Sequence, residues 1–150
     1  MYKTILVTLE ATPTDRAIID HVKELAAGLH SRVVLLHVAD GWAARNFGPD
    51  AVSPEVEEDQ AYLKQVCAEF QAAGVPAEAE LAFGEPAREI LKWIERRGCD
   101  LVAMSTHGHR LVGDIFFGST SRDVRHRSSV PVLLLKAKSE RPAAGRRSSG

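Results

Sequence analysis

The fold is decided by residues 3–38, which read KTILVTLEATPTDRAIIDHVKELAAGLHSRVVLLHV. This stretch begins and ends with short apolar runs, residues 3–9 and residues 33–38. The second run is apolar at nearly every position, which is typical of a strand covered on both faces. Between the runs, apolar residues recur at helical spacing and predict a helix with one buried stripe; they are Ile18, Val22, Leu25 and Leu29. The stretch therefore predicts a strand, a helix and a second strand.

The start of this helix carries a local signature. Thr12 is a good N-cap residue, Pro13 suits the first helical position, and Asp15 can return the capping hydrogen bond. We therefore expect the helix to begin at Thr12 and to end near His30.

The same alternation of apolar runs and helical periodicity continues along the chain. Further strands are expected at residues 77–83, at residues 101–104 and from Val130 to Leu135, and further helices at residues 53–74, 84–98 and 119–127. Repeated strand and helix units form a mostly parallel sheet with helices on both faces, so the predicted fold class is a doubly wound α/β domain. Residues 77–83 place Glu78 and Glu80 between small or apolar residues, which is typical of an edge strand.

Size, charge and composition restrict the function. A chain of 150 residues predicts one domain, which we assign to residues 1–137; residues 138–150 are expected to form a disordered basic tail. The net charge of -1 argues against a nucleic-acid partner.

Apolar runs stop well short of the about 20 residues of a membrane span, and a cytoplasmic location is expected. Cys67 and Cys99 fit neither a disulfide framework nor a zinc spacing, and we interpret both as small buried residues; a reactive Cys99 is the alternative.

The segment that carries chemistry follows the fourth predicted strand. Residues 104–120 read MSTHGHRLVGDIFFGST. Ligands of open parallel sheets bind at the carboxyl ends of the strands, where the strand order switches. If Gly118, Ser119 and Thr120 open a helix, free backbone N–H groups, two hydroxyls and the positive end of the helix dipole together can hold an anion. Ordinary helix capping by Ser119 and Thr120 is the alternative interpretation.

The spacing of this segment resembles a known nucleotide loop. Ser105-x2-Gly108-x9-Gly118-Ser119 is similar to the G-x2-G-x9-G-[S/T] loop of the universal stress protein family. The resemblance runs from residue 2 to residue 136, and its other short matches are ILV at 5–7, LHV at 36–38, GEP at 84–86, CDLV at 99–102 and VPV at 130–132. It implies a five-stranded sheet of order 3-2-1-4-5 (adenine nucleotide alpha-hydrolase-like), a homodimer, and binding of ATP, with or without Mg²⁺.

The resemblance also implies roles for individual residues. Val38 would meet the adenine edge, Met104 and Ser105 would lie near the base and ribose, Glu10 would contact the nucleoside, and Gly108, Gly118, Ser119 and Thr120 would hold phosphate. Two positions depart from the family pattern, because Ser105 replaces a glycine and Glu10 replaces an aspartate.

Other polar residues favour binding over catalysis. His107 and His109 flank Gly108 without a third ligand of matching type nearby, so no metal site is expected. His37 is interpreted as a hydrogen-bonded core histidine. The chain lacks GxxxxGK[ST], GxGxxG after the first strand, and G-x-S-x-G.

Three hypotheses follow from these observations. The first is an ATP-responsive stress or signalling module, the second is a dimeric interaction protein that has lost nucleotide binding, and the third is a slow ATPase. The homodimer is expected to form through the final strand, from Val130 to Leu135, because an apolar edge strand needs a partner or a cover.

Overall fold

The computed structural model describes residues 1–39, 54–106 and 115–137, and for residues 115–118 it describes the backbone alone. The elements follow one another as β1 (Thr4–Thr8), α1 (Asp15–Leu29), β2 (Arg32–Ala39), α2 (Pro54–Ala72), β3 (Ala77–Phe83), α3 (Pro86–Arg97), β4 (Leu101–Thr106), α4 (Ile115–Arg127) and β5 (Val132–Lys136). The loop expected at residues 40–52 and the tail expected at residues 138–150 lie outside the described residues.

The strands form one parallel sheet with the order β3-β2-β1-β4-β5, which confirms the expected fold class and strand order. β1 is the central strand and pairs with β2 from Thr4 opposite Arg32 and with β4 from Ile5 opposite Leu101. The chain moves outward from β1 to β3 and then crosses back to β4. The switch in strand order therefore lies between β1 and β4.

Two apolar layers cover the sheet. One face, here called the α1–α2 face, buries Ile5 and Val7 under residues of α1 and α2. The other, the α3–α4 face, buries Leu6 under residues of α3 and α4. The alternation of Ile5, Leu6 and Val7 between the faces, with all three side chains fully buried, explains why the central strands are apolar at consecutive positions.

The two edge strands are less buried than the central ones. β3 is half-buried over most of its length, as expected for an edge strand, and Arg97 of α3 pairs with both Glu78 and Glu80 along it. β5 begins at Val132, two residues later than predicted, and its four apolar residues are all half-buried. Pro131 precedes the strand, and its carbonyl accepts a hydrogen bond from the Val102 N–H at 3.0 Å.

The start of α1 differs from the prediction. Helix α1 begins at Asp15, and Thr14 occupies the N-cap position without a capping hydrogen bond from its side chain. The predicted cap, Thr12, instead pairs its hydroxyl with that of Thr14 at 2.6 Å. The reason is that the Asp15 carboxylate accepts hydrogen bonds from the N–H groups of Glu10 and Ala11, so it stabilises the loop before the helix.

The start of α4 also differs. The helix begins at Ile115, four residues before the predicted start at Ser119. A glycine inside a helix costs only about 1 kcal/mol relative to alanine, so Gly118 does not end the helical run. Only the first turn of a helix has N–H groups without helical partners. Gly118 and Ser119 lie one turn inside α4. The N–H groups without helical partners are therefore those of the first turn, which precedes Ser119.

Candidate functional site

The carboxyl edge of the sheet brings together residues that the sequence placed far apart. Val38 is in β2, Ser105 is near the end of β4, and Glu10 follows β1, which runs between those two strands. Parallel pairing therefore puts the three residues at one edge, on either side of the switch in strand order. Val38 and Glu10 are half-buried, whereas Met104 is fully buried against the α3–α4 face.

The loop that carries Glu10 is held by one buried carboxylate. The Glu10 N–H donates to Asp15 Oδ1 at 2.9 Å, and the Ala11 N–H donates to Asp15 Oδ2 at the same distance. Ala11 has a φ of 63°, a left-handed conformation that is uncommon for alanine and is maintained by these bonds. The Tyr62 hydroxyl of α2 donates to the same carboxylate at 2.7 Å.

The electrostatic environment of Asp15 reflects this burial. The residue is only 1% exposed, and the loss of water raises its pKa above the ordinary value, although the backbone N–H groups and Tyr62 act in the opposite direction. Burial and the neighbouring carboxylate also raise the pKa of Tyr62, so its hydroxyl remains a donor. Asp15 is therefore a structural carboxylate, occupied by donors from the protein.

His37 connects the ends of β1 and β2 to α2. Its Nδ1 is 2.8 Å from the carbonyl oxygen of Leu9, and its Nε2 is 3.3 Å from Asp59 Oδ2. Because a carbonyl can only accept, Nδ1 carries the proton. The prediction of a hydrogen-bonded histidine is confirmed. Asp59 and Tyr62 lie one turn apart on α2, so a single turn of this helix holds both His37 and Asp15.

Two hydroxyls at the same edge have no such partners. Thr8, the last residue of β1, is 4% exposed, and Ser105 is 2% exposed. Among the described residues, neither Thr8 Oγ1 nor Ser105 Oγ has a hydrogen-bond partner. Ser105 was predicted as a site residue, whereas the buried hydroxyl of Thr8 was not predicted. The available signal was a polar residue in an otherwise apolar strand, at the end where ligands bind.

The predicted phosphate end is described in part. Ser119 is half-buried and Thr120 is 3% exposed on α4, and both interact with other parts of the protein. The backbone of Gly118 is part of the same helix. The described residues do not include Gly108, His107 or His109.

Within the described ranges, no group of histidine, cysteine, aspartate and glutamate side chains could hold a metal ion. No helix in the same ranges is long and apolar enough to span a membrane.

The fold and the polar edge at the β1/β4 switch define a doubly wound α/β protein of the kind that binds ligands at its strand ends. A family model described as "Universal stress protein family" matches residues 1–136. The chain belongs to the universal stress protein family.

Individual relatives agree in sequence and in fold. Universal stress protein MJ0577 of Methanocaldococcus jannaschii is 28% identical, and the match covers 92% of this chain and 97% of the relative. A solved structure of protein MJ0577 superimposes with a TM-score of 0.77, over 93% of this chain and 99% of that one. A universal stress protein from Archaeoglobus fulgidus, solved in complex with dAMP, shares the fold at 20% identity, with a TM-score of 0.69 over 90% of this chain and 98% of that one.

Proposed function

We propose that this universal stress protein binds ATP, with or without Mg²⁺, at the carboxyl edge between β1 and β4, and that the bound nucleotide regulates its interactions. One observation carries the proposal: the orphaned, buried hydroxyl of Ser105 lies at the first position of the spaced segment that ends at Ser119. A buried hydroxyl without a partner costs about 1–3 kcal/mol, which a ligand oxygen would recover. The dAMP-bound relative supports an adenine nucleotide as the ligand of this fold.

The proposed contacts follow the arrangement of the strands. Val38 contacts the adenine edge, Ser105 and Met104 lie at the ribose side, and Glu10 contacts the nucleoside from the loop that Asp15 holds. Because the Met104 side chain is fully buried, its contribution is through the backbone. Gly108, Gly118, Ser119 and Thr120 are assigned to the phosphates, close to the positive end of α4.

The phosphate assignment carries a conformational consequence. Gly118 and Ser119 lie one turn inside α4, where backbone N–H groups are engaged in the helix. Direct contact between these amides and a phosphate therefore requires the first turn of α4 to unwind. We expect ATP to reduce the helical content of this turn as it binds.

Calorimetry tests the proposal directly. ATP should bind the full chain with micromolar affinity, and Gly118→Val should weaken binding at least about tenfold, because a β-branched side chain would obstruct the phosphate position. Gly28→Val is the matched control, since Gly28 is also helical and a Cβ there meets no atom within 4 Å. Absence of binding by the wild type at millimolar ATP would refute the proposal and favour an interaction protein that has lost nucleotide binding.

The hypothesis that the chain is a slow ATPase is tested with the same variants. We expect the chain to be a binding module without dedicated catalysis, because efficient phosphoryl transfer requires a P-loop lysine, a magnesium-binding acid pair or an activated water. Phosphate release by the wild type should not exceed that of Gly118→Val. A clear excess would establish the ATPase instead.

A further inference from the structure

Charge is distributed unequally over the two faces of the sheet, although the net charge of the whole chain is only -1. Helices α1 and α2 on one face are here called the α1–α2 layer, and α3 and α4 on the other face the α3–α4 layer. We propose that the α3–α4 layer of one chain docks on the α1–α2 layer of a second copy. The inference does not depend on nucleotide binding.

The α1–α2 layer is acidic. Apart from the buried Asp15, its two helices carry seven acidic and three basic residues, which give a formal charge of -4 with histidine neutral. Glu55 and Glu58 are exposed on α2. The Arg16 guanidinium of α1 lies 2.8 Å from the Glu69 carboxylate of α2, so an ion pair joins the two helices. The two helices therefore present one acidic surface.

The α3–α4 layer is basic. Its two helices carry seven basic and three acidic residues, which give a formal charge of +4 with histidine neutral. Arg88, Lys92 and Arg96 recur every four residues along α3, so they follow one side of the helix, and all three are exposed. Arg122 and Arg125 are exposed on α4, which packs beside α3. Basic side chains therefore extend across both helices.

The opposite charges of the two layers make a second copy the partner that fits each of them. Copies that met through identical layers would place like charges opposite one another, whereas unlike layers attract. The contact is heterologous, because it joins different surfaces of the two chains. It does not use β5, since the layers cover the faces of the sheet and β5 lies at its edge. The contact is therefore compatible with the homodimer expected through β5.

The dimensions of the layers predict a weak contact. Helix α3 has 12 residues and is about 18 Å long, and two packed helices are about 20 Å wide. The flat area of one layer is therefore roughly 360 Å², which lies below the about 800 Å² per partner of a stable complex. We expect reversible association at high protein concentration, driven by charge and suppressed by salt.

Sedimentation equilibrium of the full chain, without nucleotide, measures this association. At about 200 micromolar protein the average mass should be at least about 1.5-fold higher in about 10 mM salt than in about 500 mM salt, because the Debye length falls from about 30 Å to about 4 Å. An average mass that does not change with salt would overturn the proposal.

A pair of substitutions on α3 is matched by a control pair elsewhere. Arg88→Glu with Arg96→Glu removes the excess charge of the α3–α4 layer and should abolish the rise in mass at low salt. Lys3→Glu with Arg32→Glu makes the same change in net charge at exposed positions outside the helices and should retain the rise. If the control pair loses the rise as well, net charge alone explains it and the docking of the layers is refuted.

The acidic surface is tested in the same way. Glu55→Lys with Glu58→Lys removes the excess charge of the α1–α2 layer, and it should also abolish the rise because the contact requires both layers. The substituted side chains are exposed, so each variant should keep the thermal unfolding midpoint of the wild type within a few degrees. If the α2 pair retains the rise while the α3 pair loses it, the α1–α2 layer is not the partner surface and the proposal is wrong.

Discussion

At the scale of single residues, the site depends on where polar atoms find partners. Asp15 accepts hydrogen bonds from Glu10, Ala11 and Tyr62, whereas the hydroxyls of Thr8 and Ser105 at the same edge have no partner in the part of the chain that the structure describes. The first arrangement fixes the loop before a ligand arrives. The hydroxyls without partners can bond to a ligand. We therefore interpret Asp15 as a structural residue of the site and the two hydroxyls as part of its binding surface.

Asp15 predicts an unusual pH dependence of stability. Burial raises its pKa in the folded protein above the ordinary value of 3.8, so between these two pKa values the folded state binds more protons than the unfolded state. The contribution of Asp15 to the free energy of unfolding therefore falls as the pH rises from about 3.8 through the folded pKa. Urea unfolding of the wild type and of Asp15→Asn measures it, because the other groups cancel in the difference. A difference that grows with pH in this range would contradict the account.

The two cysteines should be poor nucleophiles in the native protein. Burial raises the pKa of the Cys99 thiol to about 11, and it also raises the pKa of Cys67, whose Sγ is 3.3 Å from the carbonyl oxygen of Ala77. Because the thiolate is the reactive form, a disulfide reagent at pH 8 should react slowly with the folded chain and rapidly with both thiols in guanidinium. Fast reaction of native Cys99 would favour the reactive-thiol alternative.

At the scale of elements, one turn of α2 holds the residues that we propose for the nucleoside end of the site. Asp59 Oδ2 lies 3.3 Å from His37 Nε2, next to Val38, and the Tyr62 hydroxyl holds Asp15 next to Glu10. Helix α2 carries no predicted site residue, so its influence on binding would act entirely through these two contacts.

Tyr62→Phe tests this arrangement. Loss of the hydroxyl leaves Asp15 with one donor fewer and should lower the free energy of unfolding by about 1–3 kcal/mol. It should also weaken ATP binding several-fold, because the Glu10 loop loses a constraint. Tyr2→Phe is the control, since Tyr2 packs against the same core layer far from the carboxyl edge. Equal effects of the two substitutions on ATP affinity would show that α2 does not position the site.

The sequence predicted these elements unequally, for physical reasons. Consecutive apolar residues identify β2, because a strand that is buried on both faces needs apolar side chains on both. The start of α1 was predicted wrongly, since an aspartate after a turn can accept from N–H groups on either side, and only the fold decides. Thr8 was missed because its burial depends on elements remote in sequence, and the same hydroxyl on an exposed strand would be unremarkable.

At the scale of the whole molecule, the order of the strands creates the site. The alternating pattern predicted a parallel sheet, but the order β3-β2-β1-β4-β5 came from the family resemblance, because apolar periodicity does not specify which strands are neighbours. This order puts β1 beside β4 and brings the Glu10 loop to the same edge as Ser105.

The edges of the sheet predict the oligomer. We expect a homodimer through β5, whose apolar residues are only half-buried within one chain. Leu133→Glu on β5 should give a monomer in sedimentation velocity at tens of micromolar. Leu81→Glu on β3 is the matched control, because both leucines are half-buried at sheet edges and pack on the same face, and it should leave the dimer intact. A wild-type chain that is monomeric at this concentration would refute the dimer.

The central claim is that ATP binds at the carboxyl edge of the sheet, and amide chemical-shift mapping of the full chain tests it most directly. Addition of ATP should shift the amides of Glu10, Val38, Ser105 and Ser119 together, with one saturation curve. Amides at the opposite edge, such as those of Gly74 and Gly98, should stay in place. An absence of shifts at millimolar ATP, or shifts confined to another surface, would contradict the account.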